Sequence, residues 1–308
     1  MDAISNAEHG SAATLEELPT HQRGRSGSAA TQINERPFAG RIGGNQIFTA
    51  ATSDPSYEKI TKTVPDAIGD PTWAAILDPR GFRELFLWKT AVIEGVGMCL
   101  QVYISGLFSV GIIPSVTETS VGPIFPVTYA ALVSFLVVSL FIFAAGPLTG
   151  AHFNPLITFG TFFTKLSSLP RTVLYVLFQC IGAVVGGYLL RASLGSREPL
   201  AIMPGCWVDP ALVSPAEAYA LETITSVFIL FLAFGLGLDP RNATAFGPAL
   251  GPFLIGLSVA LTLFGSGFAK KGYLGSSNNP ARCLGLLAAG ERFTYHYIHW
   301  LGPLTAAM

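Results

Sequence analysis

Apolar blocks recur from Phe82 to Met308, each close to the length that a lipid bilayer demands. A hydrocarbon core about 30 Å thick is crossed by about 20 apolar residues in helical form. Six stretches approach that length: 86–110, 122–145, 172–190, 216–237, 246–267 and 293–308. The sixth is at the lower limit for a span, so it is read as short or cut off. The second lies within a run from Thr119 to Thr164 that holds no Asp, Glu, Lys or Arg. The first and fourth each enclose one acid, Glu94 and Glu222. Two more segments, 148–165 and 270–290, are too long for turns and too apolar for water-exposed loops.

Residues 1–80 have a different texture, rich in Ser, Thr, Ala and Gly with scattered charges. Such a segment has little apolar surface to offset the entropy of ordering, and it is expected to be a largely disordered tail. No apolar stretch follows the start, so it does not read as a secretory signal. A regulatory segment whose Ser and Thr accept phosphate is the functional alternative, with no specific motif behind it. The domain boundary is placed at 80/81.

Composition narrows the class. The chain of 308 residues is 50% hydrophobic and 12% charged, against about 25% charged in a typical soluble domain. A net charge of −1 provides no basic field for a polyanion, which argues against nucleic acid as a partner. The four cysteines, Cys99, Cys180, Cys206 and Cys283, have no metal-ligand or redox spacing. Neither a metal nor a cofactor is expected, and no nucleophile–base pair suggests an enzyme. The reading is an all-α membrane protein that crosses the bilayer several times.

The two leftover segments resemble each other. Both contain G-x-x-x-N-P-x-x-x-x-G, from Gly150 to Gly160 and from Gly275 to Gly285. Glu94 stands 60 residues before Asn154, and Glu222 stands 57 before Asn279. Three spans separate the two motifs, an odd number, so the halves enter the membrane in opposite senses. That is an inverted repeat.

Asn is a favoured helix N-cap and Pro suits the first helical position. Each motif is therefore predicted to enter as a loop, turn at Asn-Pro and continue as a half-helix of about 15 Å. Two half-helices from opposite faces meet near the bilayer midplane. Irregular backbone at that depth is tolerated only where it lines a cavity or packs in protein. Their positive ends face each other, and with the two Asn amides they favour neutral solutes that accept hydrogen bonds. A pair of interfacial helices merely capped by Asn-Pro is the plainer alternative.

From about residue 84 onward the chain resembles the aquaporin, or major intrinsic protein, family. The resemblance rests on Asn154-Pro155-Leu156, on Asn279-Pro280-Ala281 followed by Arg282, and on the two helix glutamates. Asn-Pro-Ala-Arg-Cys (279–283) with Gly205-Cys206-Trp207 is similar to the X intrinsic protein subgroup of plants and fungi. The resemblance implies an aquaporin-like fold of six spans and two re-entrant half-helices, with 81–308 as the channel domain. It also implies a homotetramer, a multi-pass location in the plasma membrane and a cytoplasmic N-terminus. Counting Lys and Arg on the two sides gives six against five, which leaves orientation to the resemblance alone.

Carried over residue by residue, the resemblance implies a selectivity constriction of Ser134, Leu263, Ser276 and Arg282. Arg282 would bind passing solute and repel cations, unless it reaches only the outer interface. Glu94 and Glu222 would hold the half-helix loops rather than couple protons. Leu156 replaces the family's Ala and would face the opposing half-helix, altering the packing or the bore. His152 would line the inner vestibule or pack the loop, with pH sensing as the rarer role. Cys206 and Cys283 would approach each other and pair, or Cys283 would remain a free buried thiol. His296 and His299 recur three apart but lack a third ligand, so an interfacial role beside Tyr295, Tyr297 and Trp300 is expected. The sequon at Asn242 would lie on the cytoplasmic side and go unused.

A constriction of Ser, Leu, Ser and Arg is wider than an aromatic one. The expected function is passive passage of small uncharged solutes such as glycerol, urea or hydrogen peroxide, of water, or of both. A secondary transporter, which also uses inverted repeats, is one rival. A non-conducting membrane scaffold is the other.

Overall fold

The structure, a computed structural model, describes residues 38–42, 50, 53, 55, 57–68, 70–118, 124–200 and 202–308. Two short helices, α1 (Tyr57–Thr63) and α2 (Trp73–Ile76), precede the long ones. The first half of the bundle holds α3 (Leu85–Glu118), α4 (Ile124–Thr149), the half-helix α5 (Pro155–Phe163) and α6 (Leu169–Leu194). The second half repeats the order with α7 (Pro215–Ala233), α8 (Ala243–Ser266), the half-helix α9 (Pro280–Gly290) and α10 (Ile298–Ala307).

Local chemistry sets the ends. Ser214 and Glu217 form a reciprocal capping box at the start of α7. Ser168 precedes Pro170 at the start of α6, and Gly195 ends that helix with φ of 68°, a left-handed turn that glycine adopts without strain. Among the described residues, five helices are long and apolar enough to cross a membrane. The expected span at 293–308 is corrected in its bounds: the helix is Ile298–Ala307, ten residues. Residues 293–297 turn before it, and the Phe293 carbonyl accepts from His296 N.

The halves interlock. Within the halves α3 packs on α6 and α7 on α10, while α4 packs on α8 across the repeat. Half-helix α9 lies against α6 of the first half, and α5 touches α10 of the second. Gly182 and Gly186 bring the α6 backbone against the Gly95 and Cys99 carbonyls of α3, where no Cβ fits. The pattern of burial is that of a protein dissolved in lipid. Leu140, Ile224 and Phe231 stand exposed on the outer faces, while Glu94, Glu222 and Gln179 are fully buried inside.

The expectation of a disordered tail through residue 80 is corrected for its described part. Residues 1–37 lie outside the described residues. Phe38, Arg41, Ile42 and Asp66 are buried. Asp66 pairs with Arg171 of α6 and accepts from Ser168 N and Oγ, both at 2.9 Å. Phe38 lies beneath the Arg171 guanidinium, 3.8 Å from the ring centroid. A few anchors with exact partners order a segment whose average composition resembles a solvated tail.

Candidate functional site

Each half-helix begins as its sequence dictates. Asn154 Oδ1 accepts from Leu156 N at 2.9 Å, and Asn279 Oδ1 accepts from Arg282 N at 3.2 Å. The residue before each Asn, Phe153 and Asn278, has a positive φ of 41° and 53°. That unusual backbone turns its carbonyl toward the opposite motif. Asn154 Nδ2 donates to Asn278 O, and Asn279 Nδ2 donates to Phe153 O, both at 2.7 Å. The two half-helices are thus cross-tied at their tips, a relationship the repeat alone did not reveal. Each amide nitrogen carries two protons; the second on Asn279 Nδ2 is directed at Met98 Sδ, 3.8 Å away.

The glutamates hold these loops. Glu94 Oε1 accepts from His152 N at 3.1 Å and Thr149 Oγ1 at 2.6 Å. Its Oε2 accepts from Phe153 N at 2.6 Å and Gln179 Nε2 at 2.9 Å. Glu222 Oε1 accepts from Ser277 N at 3.0 Å and Tyr273 OH at 2.8 Å. Sequence reasoning missed Thr149, Gln179 and Tyr273, which are ordinary residue types inside apolar helices or loops and carry no spacing signal.

A cavity of about 230 Å³ runs past the half-helix tips. Its polar lining includes Ser134, His152, Asn154, Asn279, Ser277 and Arg282, and most of the rest is aliphatic. Leu263 also faces it. Ser276 does not, which corrects the expected constriction. It is fully buried, its N–H donates to Ser266 Oγ at 2.9 Å, and its hydroxyl donates to Asn278 Oδ1 at 2.8 Å. With those needs met inside the loop, the side chain turns away from the path. Leu156 is likewise buried in the core with Ala281, and neither side chain lines the cavity.

Arg282 is fixed from two directions. Its Nη2 donates to Pro204 O at 2.6 Å and its Nη1 to Ser277 O at 3.2 Å. Gly205 lies so close that a Cβ there would stand 3.0 Å from Nη2. Cys206 and Cys283 are joined by a disulfide with Cα atoms 5.1 Å apart. The bridge ties the residue after Arg282 to the loop that supplies the Pro204 carbonyl. That loop also pairs with the chain before the second motif, through Gly205 N to Leu274 O at 2.9 Å and Asp209 N to Gly272 O at 2.8 Å.

His152 both lines the cavity and packs the loop. Its Nε2 lies 2.9 Å from Gly40 O, a group that only accepts, so that nitrogen carries a proton. The other nitrogen lies 3.1 Å from Thr158 Oγ1. His299 is buried on α10, which packs on α7. His296 Nε2 accepts from Trp300 Nε1 at 3.0 Å. Asn242 of the sequon donates from Nδ2 to Gly235 O at 2.7 Å.

A bundle of apolar spans, two opposed half-helices and a polar-tipped cavity between them defines a helical membrane channel. Residues 82–308 match the family described as Major intrinsic protein, and the chain belongs to that family. Aquaporin FA-CHIP of Pelophylax lessonae is 29% identical over 227 residues, covering 72% of this chain and 80% of its own. Probable aquaporin PIP2-7 of Oryza sativa subsp. japonica is 28% identical over 245 residues, covering 77% and 82%. Among solved structures, the aquaglyceroporin from Plasmodium falciparum aligns with a TM-score of 0.53 at 18% identity, over 71% of this chain and 92% of its own. That likeness speaks for the fold. The chain is a membrane channel for water, small solutes or both, and not an enzyme.

Proposed function

We propose that the channel passively conducts small uncharged solutes of the size of glycerol, urea and hydrogen peroxide, together with water. The observation that carries this reading is that Ser134 and Leu263 line the same cavity as Arg282. A hydroxymethyl group where a ring would stand leaves room for a solute wider than water. The fixed guanidinium offers donors to hydroxyl or carbonyl oxygens and repels cations.

The commitment of Glu94 and Glu222 to loop N–H groups supports passive conduction over coupled transport. The linked Cys206 and Cys283 beside Asn-Pro-Ala-Arg support placement in the X intrinsic protein subgroup. The same reading includes a homotetramer in the plasma membrane with the N-terminus in the cytoplasm.

Stopped-flow light scattering on proteoliposomes tests the solute range. Glycerol and urea entry well above that of empty vesicles is the expected result. Fast water flux with both solutes excluded would overturn it.

A further inference from the structure

Among the described residues, the wall of the cavity includes one from ahead of the spans, Ile42. It comes from the segment ahead of the spans, more than forty residues before α3 begins. Ile142 of α4, Ala151, Ile157 of α5 and Ile229 of α7 also line the cavity, in one buried apolar cluster with Ile42 that extends toward one end of it. This end is a single face of the bundle. Helix α4 finishes there at Thr149, and the repeat sends α7 in the same direction as α4, so Ile229 lies close to its finish too.

The segment is seated by directed bonds. Ile42 N donates to Gly150 O at 3.0 Å, and Ala39 N donates to Asp66 O at 2.8 Å. Arg41 Nη1 donates to Gly146 O at 3.0 Å and Pro147 O at 2.5 Å, neutralising the carbonyl end of α4. Gly40 O accepts from His152 Nε2 at 2.9 Å. The fit is tight. At Gly150, where φ is +88°, a Cβ would stand 2.7 Å from the Phe38 ring and 3.2 Å from Arg41 Cα.

We propose that Ile42 is a specificity-determining residue, forming with Ile142 and Ile157 an apolar constriction at the end of the path opposite Arg282. The inference rests on channel function and not on which solutes pass. An apolar ring offers no partner to a solute hydroxyl. A polyol therefore sheds several water contacts there without replacement, while a single water keeps file with its neighbours. Arg282 selects by charge and hydrogen bonding, and Ile42 selects by bore and desolvation. Phe38 is a positioning residue in this arrangement: it does not line the cavity, but its ring lies tilted against His152, with centroids 5.6 Å apart, and under Arg171.

The test compares water and glycerol permeability of full-length wild-type protein, Ile42→Ala, Ile42→Trp and Phe38→Ala in proteoliposomes at equal incorporation. Ile42→Ala is expected to raise glycerol flux several-fold and water flux less, and Ile42→Trp to lower both. Phe38→Ala is expected to raise the glycerol-to-water ratio in the manner of Ile42→Ala, a change that simple loss of folded protein does not produce. Should Ile42→Ala fail to fold, Ile42→Val trims one carbon and is expected to give a smaller rise of the same kind. Wild-type fluxes and ratios in both the trimmed and the enlarged variants would overturn the proposal. If wild type excludes glycerol, the solute range proposed above fails, whereas a rise in water flux on trimming Ile42 still supports the constriction.

Discussion

Arg171 grips Asp66 through two hydrogen bonds, Nε to Oδ2 at 2.7 Å and Nη2 to Oδ1 at 3.1 Å, with both side chains almost wholly enclosed. The pair joins the segment ahead of the spans to the first turn of α6. Removing one member leaves the other charge buried without a partner. Asp66→Ala is expected to destabilise the protein by about 3–5 kcal/mol. The double variant Asp66→Leu/Arg171→Met, which removes both charges, is expected to cost less than the single one. Thermal unfolding in detergent checks the order, and a double variant less stable than the single one would refute it.

The same pair sets an acid limit. Burial pushes the Asp66 carboxyl upward, but the Arg171 charge and the hydrogen bonds from Arg171 and Ser168 outweigh it and hold the carboxyl below its ordinary value of 3.8. A carboxyl lowered by folding contributes stability above its unfolded value and loses it as pH falls through the folded one. Between pH 5 and 8 this pair is therefore expected to contribute constantly, and its loss to begin only below about pH 4. Unfolding midpoints followed against pH, with Asp66→Asn as the reference, read this difference directly.

Glu94 receives four donors on two oxygens. An amide in its place turns an NH2 group toward donors and loses the charge that strengthens each bond, each worth about 1.5–3 kcal/mol when an ion takes part. Glu94→Gln is expected to cut water flux at least ten-fold and lower the unfolding temperature. Gln179→Leu, which removes one donor, is expected to do less. Equal losses in the two variants would show that the carboxylate is not the centre of the network.

Arg282 and Ser134 are expected to fail in opposite directions. Arg282→Ala removes the fixed positive charge, so glycerol flux rises and cations begin to leak, measured as ionic current in planar bilayers. Ser134→Phe puts a ring across the cavity, so glycerol flux falls several-fold while water flux is retained. Unchanged glycerol flux in Ser134→Phe would remove Ser134 from the constriction.

The disulfide between Cys206 and Cys283 closes a separation of 77 residues. In the chain-entropy view a loop of that length is worth about 4.5 kcal/mol of unfolded-state restriction. Reductant is expected to lower the unfolding temperature and to loosen the Pro204 carbonyl from Arg282, raising glycerol flux. Thiol titration under denaturing conditions should count Cys99 and Cys180 alone before reduction. A count of four would refute the bridge.

The spans, the inverted repeat, the Asn-Pro turns and the buried roles of Glu94 and Glu222 were legible because each depends on local chemistry. Span length follows from bilayer thickness, a capped half-helix from Asn before Pro, and a buried acid from its cost in an apolar helix. Arg282 stood out for the same reason. The orientation of Ser276 did not follow from its spacing to Asn279. Whether a loop serine faces a pore depends on competing partners, here Ser266 and Asn278.

Residues 38–42 mark the boundary most clearly. Phe38, Arg41 and Ile42 stand among Pro, Ala and Gly, and no periodicity distinguishes them from a solvated tail. Ile42 becomes part of the cavity wall, with Phe38 and Arg41 seating it, because Gly146, Gly150, His152 and Arg171, more than a hundred residues later, present carbonyls, a ring nitrogen and a guanidinium that fit the segment. Composition is a sum over neighbours in the chain and predicts what the bilayer sees of each segment. Docking is a match between groups far apart in the chain, and it exists only once the bundle has brought those groups together.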